Sequence, residues 1–137
     1  MATLAQLRAG LAARLATISS LKGVYKESPG QVETPGAVIR SGSPFIIYGT
    51  SVADGSHDYT FSVLLLVSIA QGAPSQEVLD PYLDPTGTDS VVAAIEADSD
   101  LGGVCDSAAV TQVVNAGLVS WAGVDYLGAE LLVSVLA

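Results

Sequence analysis

The first eighteen residues carry leucine and isoleucine at steps of three and four positions. This spacing places apolar side chains on one face of an α-helix, and the residues concerned are Leu4, Leu7, Leu11, Leu15 and Ile18. Thr3 and Gln6 have the spacing of a capping box at a helix start. Gly10 weakens the helix by about 1 kcal/mol relative to alanine, which the aligned apolar side chains offset. The pattern therefore predicts a helix over residues 3–18 that packs on a core.

Alternating apolar positions predict the strands of a sheet. Residues 59–69 are apolar at every odd position, as expected of a strand with one buried face. Residues 108–120 and 124–135 predict a hairpin that turns at Trp121-Ala122-Gly123, and the odd positions from 127 to 135 are apolar. A short strand at 37–40 and an extended segment at 21–25 complete the predicted strands.

Two further helices are predicted between the central strand and the last hairpin. Helical signals cover 76–83 and 90–97, with Asp84-Pro85-Thr86-Gly87 between them and Leu101-Gly102-Gly103 after the second. The order helix, two strands, two helices, two strands favours an α+β fold, a mainly antiparallel sheet with helices packed on one face. Because 137 residues is the length of one ordinary domain, we predict a single domain over 1–137.

Residues 41–57 are rich in glycine and serine around an apolar island formed by Phe45, Ile46, Ile47 and Tyr48. This composition predicts a long loop or a projecting hairpin. Loops of this length are usually functional or disordered. Two interpretations of the island stay open: a contact arm that becomes ordered on assembly, or a strand packed on the core.

Charge is scarce and unevenly distributed along the chain. Only 14% of the residues are charged, against 50% that are hydrophobic, so we expect partners to cover part of the surface. All five basic residues lie within the first forty positions, which carry +3, whereas residues 41–137 carry −12. This asymmetry disfavours direct binding of nucleic acid over most of the surface. The basic residues are Arg8, Arg14, Lys22, Lys26 and Arg40.

The sequence signals for catalysis or metal binding are weak at each candidate residue. His57 is the one histidine and has no nucleophile-elbow pattern to accompany it, and Cys105 lies beside Asp106 rather than a cation. A calcium loop starting at Asp98 has Ala109 where the bidentate glutamate belongs. We therefore predict a protein that is not an enzyme and has no cofactor or metal. No apolar stretch is long enough to cross a membrane, and we expect synthesis in the cytosol.

The order and spacing of four segments resemble the tail terminator proteins of long-tailed, siphovirus-type actinobacterial phages. The segments are the opening helix, PGAVIR at 35–40, the run from LDP at 83–85 through SVVAAIEAD at 90–98 to LGG at 101–103, and GVDYLGAE at 123–130. The resemblance implies a virion protein at the top of the tail. Such proteins form a ring, usually of six copies, that caps the tail tube, stops its growth and joins the head-side connector.

The resemblance also gives the charged and apolar residues expected roles. DNA would pass through the ring without specific binding, because an acidic channel repels it, and regions of opposite charge can meet between neighbouring copies. Candidate subunit or tube contacts are Phe45, Ile46, Ile47, Tyr48, Arg8, Arg14 and Arg40. Candidate acidic channel residues or inter-subunit partners are Asp54, Asp58, Asp125 and Glu130. The sequence departs from the family expectation in the length and apolar character of 41–57.

Other functions stay open at the level of sequence. The nearest alternative is a head-to-tail connector, stopper or tail-completion protein of the phage neck. A small acid- or metal-dependent hydrolase would use the acids between Asp80 and Asp100. A monomeric module that binds a peptide at its sheet edge would expose one apolar groove.

Overall fold

The computed structural model describes residues 3–27, 29–51, 56–69 and 75–137. Within these ranges the chain forms three helices and five strands. The helices are α1 (Leu4–Leu15), α2 (Ser75–Leu83) and α3 (Val91–Glu96). The strands are β1 (Gly23–Tyr25), β2 (Gly36–Ser51), β3 (Ser56–Ser68), β4 (Ser107–Trp121) and β5 (Val124–Leu136). The predicted α+β class is therefore confirmed.

The first helix has the capping box that the sequence predicts. The Thr3 side chain accepts a hydrogen bond from the Gln6 backbone N–H, and the Thr3 N–H donates to Gln6 Oε1 at 2.9 Å. Leu7, Leu11 and Leu15 are fully buried, and each contributes about 2 kcal/mol of burial free energy. The helix ends at Leu15 rather than at 18, and Leu4 is exposed.

The five strands form one sheet in the order β1-β2-β3-β5-β4. All neighbouring pairs are antiparallel except β1 and β2, which run parallel. The sheet is therefore mixed, with a parallel edge that the sequence did not indicate. The β4–β5 hairpin turns at Ala122 and Gly123, which both have positive φ, as a two-residue hairpin turn requires.

The short strand predicted at 37–40 is wrong in its length. β2 continues to Ser51 and pairs with β3 as a long hairpin, with register shifts between Ser41 and Ile46 and again between Ile47 and Ser51. Local glycine, serine and proline weaken a strand prediction, but pairing with the strongly apolar β3 overrides them. Pro44 is tolerated because it lies in an irregular stretch of β2, where no regular ladder bond is lost.

All three helices pack on the same face of the sheet. The main core joins their apolar side chains to those from alternating positions of β3 and β5. These strand positions are Tyr59, Phe61, Val63, Leu65, Val67, Ala129, Leu131, Val133 and Val135. The predicted packing of helices on one face is thus present, and the odd positions of both strands point towards the helices.

The opposite face, here called the far face, has a smaller apolar cluster at one end. Val38, Leu64 and Leu66 are buried there beneath partly buried aromatic and valine side chains. Trp121 belongs to this cover, and its indole N–H donates to the carbonyl of Pro29 at 3.1 Å. The far face also carries polar and charged side chains, among them Arg40, Ser62 and Glu130.

Candidate assembly surfaces

The apolar island of the β2–β3 hairpin is divided between the interior and the surface. Phe45 packs edge-on against Phe61 with ring centres 5.3 Å apart, and Ile46 contacts the main core. Ile47 and Tyr48 are instead 49% and 73% exposed, with the Tyr48 ring edge-on to that of His57. Two residues of the island therefore pack inward and two are exposed, and a contact role for the exposed two stays a prediction.

The three candidate arginines all make contacts within the chain. The Arg8 guanidinium donates to Ser41 Oγ at 3.1 Å and lies over the rings of Phe45 and Phe61 at 5.7 and 5.4 Å. Arg14 donates from Nε to the carbonyl of Ala94 at 2.9 Å, which ties α1 to α3. These contacts join α1 to α3 and to the β2–β3 hairpin, and interface roles for the arginines stay a prediction.

Arg40 and Glu130 form an ion pair on the far face, with nitrogen and oxygen 3.0 Å apart. They lie on β2 and β5, so both long side chains reach across the intervening β3. Ser62 of β3 donates to the second oxygen of Glu130 at 3.0 Å. The pair is partly exposed, and such pairs contribute about 0–1 kcal/mol. Its clearer effect is to hold two opposite charges at a fixed place on this face.

The two other candidate acids that the structure describes, Asp58 and Asp125, lie apart from Glu130 in the sheet. Asp125 is exposed beside the β4–β5 turn, opposite Ser120. Asp58 lies between Ile47 on β2 and Leu136 on β5 in the strand register. Asp54 lies outside the described residues. The predicted acidic channel, which would form between copies of the chain, stays a prediction.

The two sides of the sheet differ in how completely they are paired. β4 has β5 as its strand neighbour on one side and no strand on the other within the described ranges. On the opposite side, β1 pairs with only Gly36, Ala37 and Val38, so residues 39–46 of β2 have no strand neighbour there in the part of the chain that the structure describes. A strand edge of this kind presents unpaired backbone N–H and C=O groups to a partner.

Exposed apolar side chains on β4 were missed by the sequence reasoning. Val113 and Leu118 are 39% and 78% exposed, although they lie opposite Leu131 and Leu127 of β5. The alternation that predicted the hairpin does not say which strand lies at the sheet edge. One sequence signal was available: β4 has 15 residues, and none of them is charged.

A pocket of about 380 Å³ opens beside residues 39–46 of β2. Its lining combines the backbone edge with two guanidinium groups and one carboxylate. The lining residues are Arg8, Glu27, Ile39, Arg40 and Ser41. This composition suits a polar or acidic group more than an apolar ligand, because both arginines can donate hydrogen bonds to oxygen.

Cys105 lies near acidic side chains that affect its ionisation. Burial raises the pKa of the Cys105 thiol to about 11, with the negative charges of Asp100, Asp106 and Asp98 adding to the effect, so the thiolate needed for nucleophilic attack is rare. A hydrogen bond between their carboxyl groups raises the pKa of Asp98 and lowers that of Asp100. Among the described residues, no three histidine, cysteine or acidic side chains come together as metal ligands.

The described helices include none that is both long and apolar enough to cross a membrane. No protein-family model matches the chain, and no curated protein matches it significantly.

Proposed function

We propose that this protein is a structural component of a phage virion that forms a ring on the tail tube. The ring ends polymerisation of the tube and provides the surface that joins the head connector. The protein acts in this proposal by contact alone, without catalysis and without a cofactor. It is assembled in the host cytoplasm and remains at the top of the tail.

The observation that carries the proposal is that the two most exposed large apolar side chains described, at 73% and 78%, lie at separate places on a chain with few charges. Tyr48 lies at the β2–β3 hairpin, and Leu118 lies on β4 at the edge of the sheet. Covering such side chains releases about 25 cal/mol per Å² of apolar surface. Two apolar places on one subunit suit a ring, in which every copy contacts neighbours of its own kind as well as the tube.

The resemblance described above supports the tail as the place of action. It concerns the spacing of the opening helix, the segments at 35–40 and 83–103, and the closing segment at 123–130. The charge distribution also agrees with a channel for DNA, because residues 41–137 contain no lysine or arginine to bind phosphate.

Mass measurement in solution tests the assembly part of the proposal. Sedimentation of the purified protein, alone and with purified tail tubes, is expected to show a closed oligomer, and negative-stain images to show rings at one tube end. A protein that stays monomeric at all concentrations and never binds tubes would overturn the proposal.

Gene deletion separates a terminator from a head-side connector, which is the alternative within the same class. Loss of a terminator is expected to give overlong tails without heads. Loss of a connector or stopper would give filled heads that leak DNA, and that result would assign the protein to the neck instead.

The exposed hairpin residues give a sharper test of tube capping. Tyr48→Ser removes an aromatic ring that is mostly exposed, so we expect normal folding but at least tenfold weaker binding to tube ends. Val78→Ser is the matched control, because Val78 is exposed on α2 and away from the hairpin. Equal binding by wild type and the Tyr48 variant would remove the hairpin from the tube contact.

A further inference from the structure

We propose that copies of this chain associate edge to edge, with β4 of one copy extending the sheet of the next copy at its β1–β2 side. We call β4 the neutral edge, and β1 together with residues 39–46 of β2 the basic edge. The inference rests on the proposed function, since it supplies the contact between subunits of the ring.

The neutral edge lacks three of the features that normally protect a strand from pairing, and its two register shifts are a fourth such feature that it does have. Natural edges are kept apart by short length, by charged side chains or by proline. β4 is 15 residues long and contains neither a charge nor a proline. Its irregularities are two register shifts, between Val110 and Gln112 and between Val114 and Gly117. The exposed side chains of Val113 and Leu118 add apolar area beside the unpaired backbone.

The basic edge combines an incomplete strand pairing with positive charge. Lys22 and Lys26 are exposed and immediately flank β1. Arg8 and Arg40 line the pocket beside residues 39–46, with Glu27 as the acidic group of that pocket. Four of the five basic residues of the chain therefore lie along this side of the sheet. Arg40 among them is paired with Glu130 of its own chain, which leaves Lys22, Lys26 and Arg8 as the other cations of the basic edge.

Charge complementarity indicates that the partner of the basic edge is a second copy of this chain. The sequence from β4 to the end of β5 contains Asp125 and Glu130 and no basic residue. Glu130 is paired with Arg40 of its own chain, so the exposed Asp125 is the acid of this hairpin that carries the argument. Bringing this hairpin against the basic edge of a neighbour places opposite charges side by side, which favours association and sets its orientation. Two β4 strands paired with each other would instead place two acidic hairpins together.

The two edges lie at opposite ends of the strand order, so a contact between them is head to tail. When two copies join in this way, the basic edge of one copy and the neutral edge of the other remain unpaired. Successive copies therefore add until the rotation between them closes a ring. An edge-to-edge contact thus accounts for a closed assembly with a single type of interface.

Cross-linking between two differently labelled variants tests this arrangement. Both carry Cys105→Ser, which removes the native thiol; one adds Gln112→Cys on β4 and the other Ser43→Cys on β2. With a short bismaleimide, we expect covalent dimers when the variants are mixed and none from either variant alone. Dimers from the β4 variant alone would overturn the head-to-tail arrangement, as would a mixed sample that forms oligomers without cross-links.

Charged substitutions on the neutral edge provide the second measurement. We expect Val113→Lys and Leu118→Lys each to weaken self-association at least tenfold, because either lysine would face the basic edge. Val78→Lys, an equally drastic change at an exposed valine of α2, is expected to leave association unchanged. Circular dichroism spectra like that of wild type would show that the variants fold.

The outcomes separate this inference from the proposed function. An oligomer that the β4 lysines leave intact overturns edge pairing but not the ring. A wild-type protein that is monomeric and does not bind tubes overturns both.

Discussion

The surroundings of the Cys105 side chain determine how readily its thiol ionises. Cys105 is half-buried near three aspartates, and its Sγ lies 3.6 Å from the carbonyl of Ser99. Neither burial nor negative charge stabilises a thiolate. The sequence indicated the acidic surroundings through Asp106, but the contributions of Asp98 and Asp100 depend on the loop that folds them towards the thiol.

The first prediction concerns the reactivity of this thiol. Raising its pKa from the ordinary value of 9.0 to about 11 lowers the thiolate fraction at pH 8 by about a hundredfold, and greater intrinsic nucleophilicity offsets part of that loss. We expect alkylation by iodoacetamide at pH 8 to be on the order of tenfold slower in the folded protein than in urea.

Asp100→Asn is the matched variant for this experiment. It removes one negative charge from the surroundings of the thiol, which lowers the pKa of Cys105 and speeds alkylation of the folded protein. Equal rates for the folded and unfolded wild type would contradict the assigned pKa shift.

At the scale of elements, features set by neighbouring residues could be predicted from the sequence. Features set by pairing between strands that are distant in sequence were missed. The capping box of α1, the alternation along β3 and the turn at Ala122 and Gly123 are local signals, and each is confirmed. The length of β2 was missed because its residues 41–51 become a strand only through pairing with β3. The parallel pairing of β1 was missed for the same reason, since three residues carry too little periodicity to indicate a partner.

The candidate contact surfaces also combine local sequence signals with features set by strand pairing. The apolar island at 45–48 is visible in sequence, but its separation into inward and outward residues is fixed by the register with β3. The exposed edge of β4 follows from the strand order, which the alternation of a single hairpin does not contain.

The second prediction concerns the close approach of strands at Gly128. A Cβ atom at this position would lie 2.6 Å from the carbonyl oxygen of Leu65 on the neighbouring strand. We expect Gly128→Ala to lower the free energy of unfolding by about 1–3 kcal/mol through overpacking, measured by urea denaturation.

Gly30→Ala is the control for that substitution, because a Cβ at Gly30 meets no atom within 4 Å. Reduced freedom of the unfolded chain is expected to leave this variant as stable as wild type or up to about 1 kcal/mol more stable. If both variants were equally stable, the close contact at Gly128 would be refuted.

For association between whole molecules, the positions of the charged residues matter more than the net charge. A formal net charge of −9 makes copies repel each other on average. Association therefore depends on an arrangement in which the few basic groups meet the acidic part of a neighbour. The basic edge offers such a place, since Lys22 and Lys26 lie on either side of β1.

The third prediction compares two double variants with the same net charge. Lys22→Gln with Lys26→Gln removes two positive charges from the basic edge, whereas Thr86→Glu with Thr88→Glu adds two negative charges in the α2–α3 connection. We expect the lysine variant to weaken self-association by on the order of threefold more than the threonine variant, as measured by sedimentation equilibrium. Equal weakening would show that only net charge matters.

Trp121, whose indole N–H donates a hydrogen bond to the carbonyl of Pro29, is an intrinsic fluorescent probe of its surroundings. The chain has one tryptophan, so all indole fluorescence originates from the far-face cluster over Leu64 and Leu66. Release of the segment around Pro29 would hydrate the indole and shift its emission to the red while the helices persist. Emission wavelength and helical circular dichroism, followed together, would therefore distinguish local opening of this cover from unfolding of the whole domain.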